Sequence, residues 1–338
     1  MRRLPLGKIP IGVLESTVLG LTGARSESAV TPAKAGLDFG AVKLPGGYLV
    51  VSADPITGVS EEIGRYAVKV SANDVATSGN RPQFAESVIL LPEGSTRTDL
   101  EKVARQIHDA AMESGITILG GHTEVTPGLG HPIVVVTVFS LVKEFITSGG
   151  AQEGDTLMMT KTAGLEGTAE LARGYDFSSS GVDAPLLKRA RKLIGQIDVT
   201  EEAVRAFETR QVHAMHDCTE GGVLGAVFEM SLASGVGFRL NEAAVPVAQE
   251  TRKICSELSI DPLRLIGSGS LLLAVEKGAE DDVKRALRST CRVTKIGQFV
   301  RSRREIVTKD GGVRLVKEAP EDELWRMISR RGGGRHRL

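Results

Sequence analysis

The sequence predicts a mixed α/β (α+β) fold divided into two domains, and three observations carry that expectation. A length of 338 residues exceeds one ordinary core and suits two of roughly 150–180 residues each. Apolar residues make up 41% and charged residues 25%, the mix of a folded globular chain. Strand-like apolar runs alternate with helix-like stretches through both halves, which argues for layered sheets and helices and leaves open whether strands pair parallel or antiparallel.

The run Tyr48-Leu49-Val50-Val51-Ser52 reads as a buried strand, introduced by Pro45-Gly46-Gly47 and ended at Asp54-Pro55. Residues 63–78 carry apolar or small side chains at helical spacing, with Asp74 well inside and Gly79 and Pro82 as stop signals. A strand over 87–91, an amphipathic helix over 98–114 and a short strand over 116–119 follow. Gly120-Gly121-His122-Thr123-Glu124 comes next and reads as a glycine turn; 132–141 is a Val-rich strand. The loop-like Ser148-Gly149-Gly150 marks a boundary, giving domains over 1–150 and 151–318, with a C-terminal helix and basic tail over 319–338. In the second half the pattern predicts a strand over 156–160, helices across 168–172 and 186–193, and a helix after Thr219. A strand, a helix and a strand then follow between Leu271 and Val300.

Lys plus Arg and Asp plus Glu number 42 each, so no global field draws the chain onto nucleic acid or an anionic membrane. Basic residues gather only in Arg330-Arg331-Gly332-Gly333-Gly334-Arg335-His336-Arg337, which reads as a solvated tail. Cys218, Cys255 and Cys291 fit neither a disulfide framework nor a CxxC metal site. No apolar leader opens the chain and no apolar run reaches the roughly 18 residues of a membrane span. A cytoplasmic protein is expected.

The chemistry-bearing residues are dispersed. Asp38, Asp54 and Asp74 fall at element ends or inside a helix, and such scattered carboxylates, if folding brings them together, suit magnesium held jointly with a substrate's phosphates. Read separately, Asp54 is a turn residue before proline and Asp38 a loop charge. Asn73-Asp74 is a polar pair among Val70, Ala72, Val75 and Ala76, and a buried carboxylate there needs a partner or a metal. Two glycines after a strand, at 120 and 121, let backbone approach a phosphate; the same pair also suits an ordinary turn. In His216-Asp217-Cys218-Thr219-Glu220-Gly221-Gly222-Val223, Thr219 or Asp217 caps a helix whose first N–H groups form an anion site if they face a cleft. His213, His216 and Cys218 lack a fourth zinc ligand at a recognised spacing, and Cys218 reads as a buried inert thiol. Walker-type, GxSxG and HExxH motifs are absent.

Taken in order, these stretches resemble one family. Asp38-Phe39-Gly40-Ala41-Val42, Ser52-Ala53-Asp54, the helix segment Ser71-Ala72-Asn73-Asp74-Val75-Ala76-Thr77-Ser78-Gly79-Asn80-Arg81-Pro82, the segment 120–124 and Met215-His216-Asp217-Cys218-Thr219-Glu220-Gly221-Gly222-Val223 are similar to motifs of the AIR synthase-related (PurM-like) ATP-binding family. Within it they look most like the hydrogenase maturation branch, HypE. The resemblance implies a homodimer whose N-terminal domains pair through their sheets, and an ATP cleft between domains. It also implies Mg2+ on Asp38, Asp54 and Asp74, and catalytic roles for Asp74, His122 and Asp217. Nucleotide contacts are implied from Asn73, Gly120, Gly121, Thr123, Glu124, Thr219, Gly221 and Gly222. The reaction implied is phosphoryl transfer from ATP that activates a carbonyl or amide oxygen or phosphorylates a small acceptor, with a maturation-pathway protein as partner and no nucleic acid or membrane.

Three departures stand out. The sequence ends Gly334-Arg335-His336-Arg337-Leu338 without the branch's terminal cysteine, so HypE's own reaction is not expected on this tail. His122 replaces an Asp, and Cys218-Thr219-Glu220 replaces Pro-Thr-Arg. A non-catalytic nucleotide-binding assembly factor and a kinase like thiamine-monophosphate kinase are the alternative expectations.

Overall fold

The computed structural model describes residues 3–58 and 61–330. The basic tail beyond Arg330 lies outside the described residues. The first half builds a five-stranded sheet from β1 (Gly40–Leu44), β2 (Gly47–Ile56), β3 (Phe84–Leu91), β4 (Thr117–Val125) and β5 (Ile133–Val142), in the order β1-β2-β5-β3-β4. The second half builds a seven-stranded sheet from β6 (Thr156–Thr160), β7 (Val212–Asp217), β8 (Gly237–Asn241), β9 (Leu271–Val275), β10 (Val293–Val300), β11 (Arg304–Val307) and β12 (Val313–Leu315). Its order is β12-β11-β8-β10-β6-β9-β7. Pairing is antiparallel except for β3 with β4 and β8 with β11, so both sheets are mixed.

The helices are α1 (Ile11–Thr17), α2 (Ile63–Ala76), α3 (Arg97–Ser114), α4 (Leu165–Gly174), α5 (Ala184–Arg191), α6 (Thr200–Glu208), α7 (Gly222–Ser234), α8 (Gln249–Leu258), α9 (Glu280–Leu287) and α10 (Glu323–Arg330). None is long and apolar enough to cross a membrane.

α3 starts as its sequence dictates. Thr96 accepts from the Asp99 N–H while the Asp99 carboxylate accepts from the Thr96 N–H, a reciprocal capping box, and Gly115 in the left-handed region ends the helix. α2 and α3 cover one face of the first sheet, with Val50, Val68, Val75, Val134, Val136 and Val138 fully buried between them. Among the described residues, α2 and α3 are the helices that pack on this sheet, and the other face is left open. β2 runs on through Pro55 to Ile56, past its expected end at Asp54, because β1 pairs only with residues 47–51 and leaves that edge of β2 open where the proline lacks an N–H.

α2 positions everything that follows. All its residues but Arg65 are buried, because one side packs on the first sheet and the other on the second half of the chain. Across that junction Lys69 pairs with Asp198 at 2.7 Å, and the hydroxyl of the fully buried Tyr66 donates to Glu170. α7 packs against the second sheet at a core of Val223, Val227, Met230, Phe238 and Leu240.

Candidate functional site

Four aspartates from four parts of the chain meet where the two halves join. Asp38 comes from the loop before β1, Asp54 from β2, Asp74 from α2 and Asp217 from the end of β7. Strand alternation turns Ser52 and Asp54 to the α2 side of the sheet. The Asp54 N–H reaches Ser71 Oγ of α2 at 3.3 Å, and the Ser52 hydroxyl lies 2.7 Å from Asp74 Oδ2 and 3.0 Å from the Asp38 carbonyl. Asp74 stands well above the usual carboxylate range, first through burial and then through the charges of Asp54, Asp217 and Asp38.

His216 stands at the centre. Its Nδ1–H donates to the Asp217 carbonyl at 2.7 Å, which fixes the ring, and Nε2 lies 3.2 Å from Asp38 Oδ1 and 3.3 Å from Glu229 Oε2. Burial disfavours the imidazolium, yet Asp38 and Glu229 hold its pKa up at about 9. Burial raises Asp38 to about 6 against the pull of His216, and raises Asp217 to about 7 with the Asp38 charge adding to it. Glu229 goes the other way: Lys8 and His216 overcome its burial and hold it at about 2.

Four buried polar atoms here have no hydrogen-bond partner: Asp38 Oδ2, His216 Nε2 and both carboxylate oxygens of Asp217. Among the described residues Asp38, His216 and Asp217 form a group whose potential ligand atoms all lie within 4.8 Å of one another. Carboxylates left unpaired beside other carboxylates are a donor set short of a cation, and oxygen-rich sets of this kind fit Mg2+.

Not every expected residue joins this cluster. The segment 120–124 is no turn; it forms the middle of edge strand β4. Asp54, Val136, Ser87 and Gly121 pair in one row across the sheet, so Gly121 lies three strand spacings, about 14 Å, from Asp54. Gly121 is required for pairing, since its φ is +150° and a Cβ there would stand 1.8 Å from the Ser87 carbonyl oxygen. His122 and Glu124, 3.0 Å apart, belong to the alternate rows and stand on the helix-free face, away from Asp74 of the same chain.

Asn73 is also spent elsewhere. Its side chain is fully buried, donates to the Ile197 carbonyl at 2.7 Å and accepts from the Val199 N–H at 3.0 Å, clamping α2 to the loop before α6.

The helix after Thr219 exists as α7, but neither Thr219 nor Asp217 caps it by a side chain. Instead Asp322, just before α10, accepts from the Gly221 N–H at 2.7 Å and the Leu324 N–H at 2.8 Å, so the chain supplies its own carboxylate to the expected anion site. Gly222 at φ +60° lets the backbone pass close to the Leu263 and Leu265 carbonyls.

His213 pairs with Asp155 at 3.0 Å, so the zinc set of His213, His216 and Cys218 is not assembled. The Cys218 thiol is fully buried and its pKa is pushed far up by burial, as an inert thiol requires. Lys8, Glu229 and Asp322 were not legible as site neighbours. Only Glu229 left a signal, a charge inside the apolar run Val223 to Met230.

Comparison with known proteins agrees with the geometry. The family models described as AIR synthase related protein, N-terminal domain, and AIR synthase related protein, C-terminal domain, match residues 36–142 and 152–310. A putative hydrogenase expression/formation protein of Methanocaldococcus jannaschii is 30% identical over 239 residues, 69% of this chain and 67% of that protein. Carbamoyl dehydratase HypE of Escherichia coli is 32% identical over 247 residues, 70% of this chain and 69% of that protein. Among solved structures, a chain of a HypE–HypF complex superposes with a TM-score of 0.74 at 22% identity, covering 90% of this chain and 99% of that one. HypE in complex with ATP superposes at 0.65 and 22%, covering 95% and 98%.

Proposed function

Because the chain belongs to the AIR synthase related family, in its HypE branch, we propose that it is a HypE-like, ATP-dependent enzyme. It binds ATP with Mg2+ at the Asp38, Asp54, Asp74 and Asp217 cluster and passes the terminal phosphoryl group to a carbonyl or amide oxygen. The observation that carries this reading is the convergence of four carboxylates, three of them with raised pKa values and two with oxygens that have no hydrogen-bond partner. A divalent cation held there neutralises phosphate charge, which is most of what phosphoryl transfer asks of a protein.

The residues around the cluster have definable tasks. Ser52, bonded to Asp74 and to the Asp38 carbonyl, keeps the two acids in register; the Asp217 carbonyl holds the His216 ring. Burial of the Asp38, Asp74 and Asp217 side chains keeps water scarce where a phosphoryl group would otherwise pass to it. A phosphorylated amide oxygen becomes a leaving group, which is the sense of dehydration in the carbamoyl dehydratase relative.

The helix-free face of the first sheet supports a homodimer. Phe84, Val88, Val135, Phe139 and Leu141 stand on it in adjoining rows, and Leu141 is 53% exposed. In a dimer built on this face His122 and Glu124 belong to the interface, and any phosphate contact they make is in the partner's site. The HypE–HypF neighbour favours a maturation-pathway protein as a further partner.

The test is ADP release by the purified chain with ATP, Mg2+ and a peptide bearing an S-carbamoyl thiol. Turnover that drops at least about 100-fold in Asp74→Asn is expected. Tight, Mg2+-dependent ATP binding without turnover on any amide acceptor would leave the assembly-factor reading in its place.

A further inference from the structure

Lys8 lies in the exposed N-terminal segment before α1, far in sequence from the acidic cluster, yet both its polar groups are committed to it. The Lys8 N–H donates to Glu220 Oε2 at 2.7 Å, and its ammonium donates to both oxygens of Glu229, at 2.6 and 2.9 Å. The preceding Gly7 has φ +80°, and a Cβ there would stand 2.4 Å from the Trp325 ring and 2.9 Å from Glu220 Oε2. The segment is therefore seated by close packing and is not loosely draped over the site.

Glu229 projects from the middle of α7 with its side chain only 7% exposed, and a carboxylate so placed needs compensation. It has Lys8 on one side and His216 on the other. His216 in turn stands 3.2 Å from Asp38 Oδ1, while Asp38 Oδ2 has no partner. Charges alternate along Lys8, Glu229, His216 and Asp38; the first link is hydrogen-bonded, and the two at His216 Nε2 are ion-pair contacts of 3.3 and 3.2 Å. Without the ammonium, His216 is the compensating charge left to Glu229 among the described residues; the imidazole is drawn from Asp38 toward Glu229, and Asp38 loses the pairing that orients it.

We infer that Lys8 is a positioning residue of the site: acting through Glu229 and His216, its ammonium holds Asp38 in the orientation that presents the free carboxylate oxygen to a divalent cation. This deepens the metal-nucleotide reading above and rests on it. Groups that orient metal ligands from behind change metal affinity about 10–100-fold when removed, although they never touch the ion.

The experiment compares the full-length chain with Lys8→Met and Lys8→Arg, using Mn2+ alone as the probe, without nucleotide, and reading free Mn2+ by electron paramagnetic resonance. Lys8→Met is expected to weaken Mn2+ binding at least about tenfold. Lys8→Arg, whose guanidinium pairs with Glu229 through two N–H groups, should stay within about threefold of the parent. Lys8→Met should also melt a few degrees lower, because it strips the buried Glu229 of one compensating charge, whereas Lys8→Arg should melt within about 2 °C of the parent. Unchanged Mn2+ affinity in Lys8→Met, or equal losses in both variants, overturns the assignment. If the parent chain takes up no Mn2+, the proposed function fails first, and crystal structures of the metal-free proteins decide the relay. His216 withdrawn from Asp38 in Lys8→Met and retained in Lys8→Arg supports it, and an unmoved His216–Asp38 pair in Lys8→Met overturns it.

Discussion

Replacing Asn73 by alanine separates two roles that its place in the sequence leaves open. In the structure Asn73 Nδ2 serves the Ile197 carbonyl and Oδ1 serves the Val199 N–H, and Ile197 and Val199 are 2% and 0% exposed. Alanine removes both bonds and leaves two backbone groups dry and unpaired, each costing about 1–3 kcal/mol, so a total near 3 kcal/mol is expected. With an unfolding entropy of about 2.1 cal/mol/K per residue, this lowers the melting temperature by about 4 °C if the chain unfolds as one unit. Asn73→Asp keeps the acceptor for Val199 but turns a carboxyl toward the Ile197 carbonyl, and its loss should be smaller only where pH is low enough to protonate it. Calorimetry gives the melting temperatures and titration calorimetry with Mg-ATP gives affinity, which should stay within about threefold of the parent. An alanine variant that melts normally and binds ATP ten times more weakly would refute the clamp and return Asn73 to the nucleotide.

Burial lifts Glu166 from 4.5 to about 8, so the folded chain keeps a proton that the unfolded chain releases near 4.5. Stability therefore falls as pH rises through this window of 3.5 pH units, by at most about 5 kcal/mol at 1.36 kcal/mol per unit. Glu166→Gln abolishes that fall, and its advantage in melting temperature should grow from pH 5 to pH 8; a constant difference contradicts the shift. Gly222→Ala places a Cβ 2.6 Å from the Leu265 carbonyl oxygen at φ +60° and should cost more than about 2 kcal/mol by denaturant titration, with parent-like stability counting against the close approach. Phe139→Glu puts a charge in the middle of the helix-free face and should convert a dimer to a monomer in sedimentation velocity; an unchanged species would move the interface elsewhere.

The parts of the fold legible in the sequence are those whose signals are local. β2, α2 and α3 announce themselves through a dense apolar run, helical spacing and stop residues. Asp54 and Asp74 were legible for the same reason, one at a strand's end and the other a carboxylate inside a buried helix. β4 misled because two glycines have two physical uses. Gly121 is there to let the strand close on the Ser87 carbonyl, and nothing in a five-residue window distinguishes that from a phosphate turn. The cap of α7 was out of reach for another reason: its acceptor, Asp322, lies 101 residues from Gly221, and Lys8 lies 221 residues from Glu229. Such contacts are products of topology and leave no period or motif. Short strands such as β8, β11 and β12 likewise carry too few residues to show an alternation.

The raised carboxyls and the unpartnered oxygens are one phenomenon. After burial, the charges of Asp54, Asp217 and Asp38 raise Asp74 and those of Asp38 and Asp54 raise Asp217, while the nearby cations, His216 and Lys8, are already shared with Glu229. Without an ion, part of the cluster must hold protons at neutral pH or bear uncompensated charge, and either choice costs folding free energy that the cores must supply. A divalent cation removes the conflict by replacing those protons, so the folded chain binds it where the unfolded chain has no matching site. Linkage then requires Mg2+ to raise the melting temperature, and to do so more at pH 8 than at pH 5, where protons compete for the same oxygens. A cluster that merely stabilised the fold would show the reverse: the chain would be least stable at low pH, and added Mg2+ would leave its melting temperature unchanged at any pH.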